Sequence, residues 1–66
     1  MELTVNGLGH SLPIGSTLAD LVRTVTEQKR GLAVAVNGEV VPRGGWSVTL
    51  LCDGDRVEVL SAAQGG

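Results

Sequence analysis

Leu18, Leu21, Val22 and Val25 fall at i, i+3, i+4 and i+7, and this one apolar stripe constrains the fold more than any other feature of the chain. Ser16 or Thr17 stands where a hydroxyl caps a helix, a contact worth about 1 kcal/mol. Asp20 falls in the first turn, where the helix dipole favours an acid. Lys29 and Arg30 fall where it favours bases, and Gly31 is placed as a left-handed stop. The pattern predicts a helix from Thr17 to about Arg30. A single amphipathic helix needs a surface on which to bury its stripe, and the rest of the chain offers only extended segments.

Those segments are short and bounded by turns. Glu2-Leu3-Thr4-Val5 alternates with the period of a strand, Asn6-Gly7 reads as a hairpin turn, and His10-Ser11-Leu12 returns. Leu32-Ala33-Val34-Ala35-Val36 is a strand with an aliphatic face (Leu32, Val34, Val36) and a flat one (Ala33, Ala35). Asn37-Gly38 is the strongest hairpin signal, and Glu39-Val40-Val41 follows it up to Pro42. Arg43 to Trp46 reads as a loop or a short helical turn, and Val48 to Leu51 as extended. Asp53-Gly54-Asp55 is a tight turn, and Arg56 to Leu60 is the last strand. The fold class is therefore α+β: a mixed sheet of about five short strands packed on one amphipathic helix. Residues 1–60 form the domain and 61–66 a small, polar tail.

Composition narrows the function. Sixty-six residues suffice for one domain with a modest core. With a single cysteine the chain can form no internal disulfide, and no Cys/His cluster offers a metal site. A net charge of −2, no basic stripe and no aromatic platform argue against nucleic-acid binding. The longest purely apolar run, Leu32 to Val36, is too short to cross a membrane. One thiol and no export signal point to the cytoplasm.

The tail ends in Gly65-Gly66. A terminal glycine has no Cβ, so a reacting centre approaches its carboxylate unobstructed, and glycine's freedom lets the end thread a narrow entrance. Gly66 is therefore the candidate reactive group, with Gly65 and Gln64 as the threading residues. Ser61 to Gly66 could span roughly 20 Å when extended, enough to enter a deep pocket while the domain docks outside. The chain carries no machinery to activate that carboxylate. Gly7-Leu8-Gly9-His10-Ser11-Leu12 begins like a dinucleotide fingerprint but ends in Leu without a βαβ unit, and there is no Walker pattern.

Taken together, Val5-Asn6-Gly7, the capped helix from Thr17, Ala35-Val36-Asn37-Gly38, Val41-Pro42-Arg43 with Trp46, Asp53-Gly54-Asp55-Arg56-Val57-Glu58 and the closing Gly65-Gly66 are specific. In this order and over the whole chain, the sequence resembles the ThiS sulfur carriers of thiamine biosynthesis, ubiquitin-like proteins of the β-grasp fold. The resemblance implies that a ThiF-like enzyme uses ATP to adenylate the terminal carboxylate. Sulfur from a cysteine-derived persulfide then replaces AMP, and the thiocarboxylate donates sulfur to thiazole synthase. It also implies a carrier that binds no cofactor of its own and is not an enzyme.

Other residues are weighed against that scheme. If Val57 and Val59 face the helix, Glu58 and Leu60 face away. With Ala35 beside them they make a candidate docking patch. Arg43 is solvated, holds its loop, or pairs with an acid on a partner. Trp46 reads as a cap on the core, Cys52 as a small buried hydrophobe, and His10 as a solvated surface residue. Two other readings share the tail: the small subunit of molybdopterin synthase, which is usually richer in Phe, and a protein modifier that forms isopeptide bonds. An interaction module with an inert tail is a third.

Overall fold

The structure is a computed structural model that describes residues 1–28 and 30–61. Its elements are β1 (Glu2–Val5), β2 (Leu8–Ser11), α1 (Leu18–Val25), β3 (Leu32–Val36), β4 (Glu39–Val40), a 3-10 helix η1 (Arg43–Val48) and β5 (Arg56–Ser61). The five strands form one mixed sheet in the order β2-β1-β5-β3-β4. β5 lies at its centre, parallel to β1 and antiparallel to β3. The two hairpins are the outer pairs, and Asn6 and Asn37 adopt the left-handed conformation that their turns demand, with φ of 52° and 51°.

The helix forms where its stripe begins. Thr17, and not Ser16, is the N-cap: its hydroxyl accepts from the Asp20 N–H at 3.2 Å, and the Asp20 carboxylate accepts from the Thr17 N–H at 2.9 Å. The same reciprocal bonds hold the Asp20 carboxyl below its ordinary range, the Thr17 backbone N–H being the largest cause. The Leu18 N–H, which has no partner inside the helix, donates to the Thr49 carbonyl at 2.8 Å.

The helix ends earlier than the basic residues suggest. Thr26 leaves α1 in an extended conformation, and its hydroxyl accepts from the Gln28 N–H at 3.0 Å, so a local turn replaces the next helical bond. Arg23 is the base of the last turn; Arg30 lies beyond the helix, and Lys29 lies outside the described residues. Gly31 does take a positive φ of 70°, but at the entry to β3 and not as a helix stop.

Leu18, Leu21 and Val22 bury the stripe against Leu3 and Val5 of β1, Val34 of β3 and Val57 of β5, with Trp46 and Leu51 closing the core. Trp46 is 7% exposed and donates its indole N–H to the Val41 carbonyl at 2.8 Å, so it caps the core and has its polar atom satisfied. Val48 to Leu51 is not a strand. Val48 completes η1, and Leu50 makes one isolated bridge to Thr17. Leu51 takes the buried position there and Cys52 is exposed, which corrects the reading of Cys52 as a buried hydrophobe. His10 pairs across from Leu3 and is half-buried, not fully solvated. β2 starts at Leu8, directly after the two-residue turn, and β5 continues through Ser61.

Candidate functional site

The candidate site is the outward face of the sheet where β5 ends. Register fixes what gathers there. Val57 and Val59 turn toward the helix, Val57 buried and Val59 packed against the core, so Arg56, Glu58 and Leu60 turn outward. In the β3–β5 pair Leu60 lies opposite Ala33 and Glu58 opposite Ala35. The structure therefore brings Leu60, Glu58 and Ala35 onto one surface, as parity implies. Leu60 is 65% exposed, and no element covers it among the described residues.

One member of this surface escaped the sequence reading. Val40 lies opposite Ala35 on the other side of β3 and is 74% exposed. The signal was present, because a two-residue Asn37-Gly38 turn pairs Val36 with Glu39 and hence Ala35 with Val40. The result is an apolar strip, Leu60–Ala33–Ala35–Val40, crossing β5, β3 and β4. Glu58 and Arg56 border it as exposed charges. A solvent-facing strip of large aliphatic side chains on a flat alanine floor is suited to bind another protein surface.

Arg43 does not join this surface. It opens η1 on the helix side of the sheet, where its guanidinium carbon lies 5.7 Å from the Trp46 ring centroid. There it lines an open groove of about 570 Å³ between α1 and η1, bordered also by Ala19, Val22, Arg23 and Ser47. Arg23 in that groove pairs with Asp20 three residues earlier on the exposed face of the helix. No carboxylate among the described residues pairs with Arg43. Neither the groove nor the outward strip contains a nucleophile held against a base. No three His, Cys, Asp or Glu side chains converge among the described residues.

Gln64, Gly65 and Gly66, the threading and reacting residues by sequence, lie outside the described residues. Their attachment point does not. Ser61 ends β5 opposite Leu32, and its hydroxyl donates to the Gln28 side-chain carbonyl at 3.0 Å. The exposed side chain of Leu60 stands one residue before that point. No helix among the described residues is long and apolar enough to cross a membrane.

Comparison with known proteins places this geometry in a family. The chain is 27% identical over all 66 residues to the sulfur carrier protein ThiS of Escherichia coli strain K12, covering the full length of both. Its fold matches the crystal structure of the thiamine biosynthesis protein ThiS from Geobacter metallireducens with a TM-score of 0.82 and 33% identity. That match covers 92% of this chain and 93% of the other. The ThiS family model matches residues 2–66, which includes the terminal Gly-Gly. The chain belongs to the ThiS family of sulfur carriers, built on the ubiquitin-like β-grasp fold.

Proposed function

We propose that this chain carries sulfur for the thiazole ring of thiamine, as a thiocarboxylate on Gly66. The observation that carries the reading is positional. An exposed apolar strip ends at Leu60, beside the last residue of β5, and the chain beyond it finishes in Gly65-Gly66. A partner that grips the strip holds the carboxylate within reach of its own catalytic centre.

A carboxylate is a poor electrophile because its leaving group would be oxide. In the proposed reaction a ThiF-like enzyme supplies ATP. A Gly66 oxygen attacks the α-phosphorus, pyrophosphate departs, and the acyl carbon now carries AMP as a leaving group. Persulfide sulfur displaces AMP to give an acyl disulfide with the donor cysteine. A thiol reductant then cleaves that S–S bond, itself becoming a disulfide, so that the cysteine thiol is returned and the thiocarboxylate is left on Gly66. Thiazole synthase then receives the sulfur. The chain itself acts as a co-substrate: it presents the carboxylate on a slender end while the enzyme excludes water from the adenylate.

The test is removal of the end. A chain lacking Gly65 and Gly66 keeps the domain intact, and it is expected to fold normally yet support no ATP–pyrophosphate exchange by the adenylating enzyme. Undiminished exchange with the shortened chain would overturn the reading. The matches to ThiS proteins in both sequence and structure favour thiazole formation over molybdopterin synthesis. A binding assay against thiazole synthase and the molybdopterin synthase large subunit separates the two. Conjugates on a denaturing gel would instead support a protein modifier.

A further inference from the structure

We infer that Asn6, a turn residue more than fifty positions from the terminus, is a positioning residue for sulfur loading. Its side-chain amide sets the line along which the tail leaves the domain. This rests on the functional reading above.

The argument starts from unfilled hydrogen bonds. β5 is paired on one side with β3 as far as Ser61, but on the other side its ladder with β1 ends at Val57, because β1 turns away at Asn6-Gly7. The Asn6 N–H makes the last backbone bond, to the Val57 carbonyl at 2.9 Å. Val59 is then left with an N–H and a carbonyl facing a strand that is no longer there. Asn6 fills both. Its Oδ1 accepts from the Val59 N–H at 2.9 Å and its Nδ2 donates to the Val59 carbonyl at 3.1 Å. One side-chain amide thus supplies both the acceptor and the donor that a longer parallel strand would offer from two residues, and carries the pairing of β5 two residues past its last partner on β1.

The far side is held differently. Ser61 bonds to Gln28 in the loop after α1. Val59 and Ser61 are therefore tied by Asn6 and Gln28, while Leu60 between them stays exposed on the apolar strip. Val59, Leu60 and Ser61 are the last described residues, and the tail continues from Ser61. Without the Asn6 bonds the end of β5 is held only by β3 and the Ser61–Gln28 bond, and a docked partner must organise it further at binding, which weakens apparent affinity.

A related asparagine clamp, to one strand N–H and to the Asp55 carboxylate, sits at the other end of β5 and supplies the control. Asn37 Oδ1 accepts from the Arg56 N–H at 2.9 Å and its Nδ2 donates to Asp55 at 3.0 Å. Both asparagines have positive φ, so glycine satisfies either turn while removing the amide. Asn6→Gly and Asn37→Gly each delete one clamp on the same strand, one at the tail end and one at the start.

The experiment measures two quantities on the full-length variants. The first is amide exchange at Val59, expected to accelerate about tenfold in N6G, the equivalent of one hydrogen bond, and to keep its wild-type ratio to global opening in N37G. The second is ATP–pyrophosphate exchange by the adenylating enzyme with the chain as varied substrate. N6G is expected to raise KM by about tenfold with kcat little changed, since the cost lies in organising the tail and not in the chemistry. N37G is expected to leave KM within twofold. Asn6→Asp, which keeps the acceptor and loses the donor, should fall between wild type and N6G. Equal KM shifts in N6G and N37G would reduce Asn6 to a structural role and overturn the proposal, as would an N6G variant with unchanged KM. Wild-type chain that supports no exchange would overturn the functional reading itself, and the role of Asn6 with it. Val59 exchange unchanged in N6G would sink the clamp whatever the enzyme shows.

Discussion

Leu60 stands directly opposite Ala33 in the antiparallel β3–β5 pair, on the face turned away from the helix, and 65% of its surface is open to solvent. A large aliphatic side chain over a flat alanine, one residue before the end of the last strand, contributes little to folding. Leu60→Asp is accordingly expected to change unfolding free energy by no more than about 0.5 kcal/mol. It should weaken binding to the adenylating enzyme by at least about tenfold, as loss of a central apolar contact does. Denaturant unfolding checks the first half and calorimetric titration of the folded variant the second, and wild-type affinity would remove the strip from the docking surface.

Val40 makes the extent of that surface testable. It reaches the strip only through the register of the Asn37-Gly38 hairpin, opposite Ala35. Val40→Lys should also leave stability nearly unchanged and weaken the same complex. An effect from Leu60 without one from Val40 would confine the contact to the β5 side.

Trp46 is expected to behave as core. Trp46→Ala should cost about 3–5 kcal/mol, combining lost burial with the cavity left behind. Trp46→Phe retains most of the ring but leaves the Val41 carbonyl without its indole donor, and should cost less, with about 1 kcal/mol attributable to that bond. Denaturant unfolding measures both. A W46A variant as stable as wild type would contradict the reading of Trp46 as a cap on the core.

Asp20 gives stability a pH dependence of defined sign. Its folded pKa is lowered, first by the hydrogen bond from the Thr17 backbone. A depressed folded pKa means stabilisation that is complete above the ordinary carboxylate value and lost as pH falls through the lower folded value. Thermal midpoints of wild type and Asp20→Asn should therefore differ at neutral pH and converge on acidification. A gap independent of pH would contradict the capping box as its origin.

The fold was legible in the sequence wherever a local rule had no competitor. The start of α1 at Ser16 or Thr17, the two asparagine-glycine turns and the parity of β5 all follow from residues a few positions apart. The end of α1 was not legible, because Lys29, Arg30 and Gly31 form a persuasive stop signal while Thr26 turns the chain out first through its own hydroxyl. Val48 to Leu51 is apolar in composition, yet only Leu51 is buried: the segment crosses the helix N-terminus and is held by Leu18 and Ser16 backbone bonds instead of a strand ladder. In the candidate site, Leu60, Glu58 and Ala35 could be grouped by alternation alone. Arg43 could not be placed, since its position depends on how η1 packs against α1, a contact that no periodicity records. Asn6 looked like a turn residue and is one; that its amide also holds Val59 depends on β1 and β5 being parallel neighbours.

The most direct test of the central claim is the intact mass of the chain after incubation with ATP, the adenylating enzyme, a persulfide sulfur donor and a thiol reductant. The account predicts a mass gain equal to exchange of one oxygen for sulfur, located to Gly66 by fragmentation and absent when ATP is withheld. An unchanged mass under conditions that turn over a known ThiS protein, or a modification at any other residue, would contradict it.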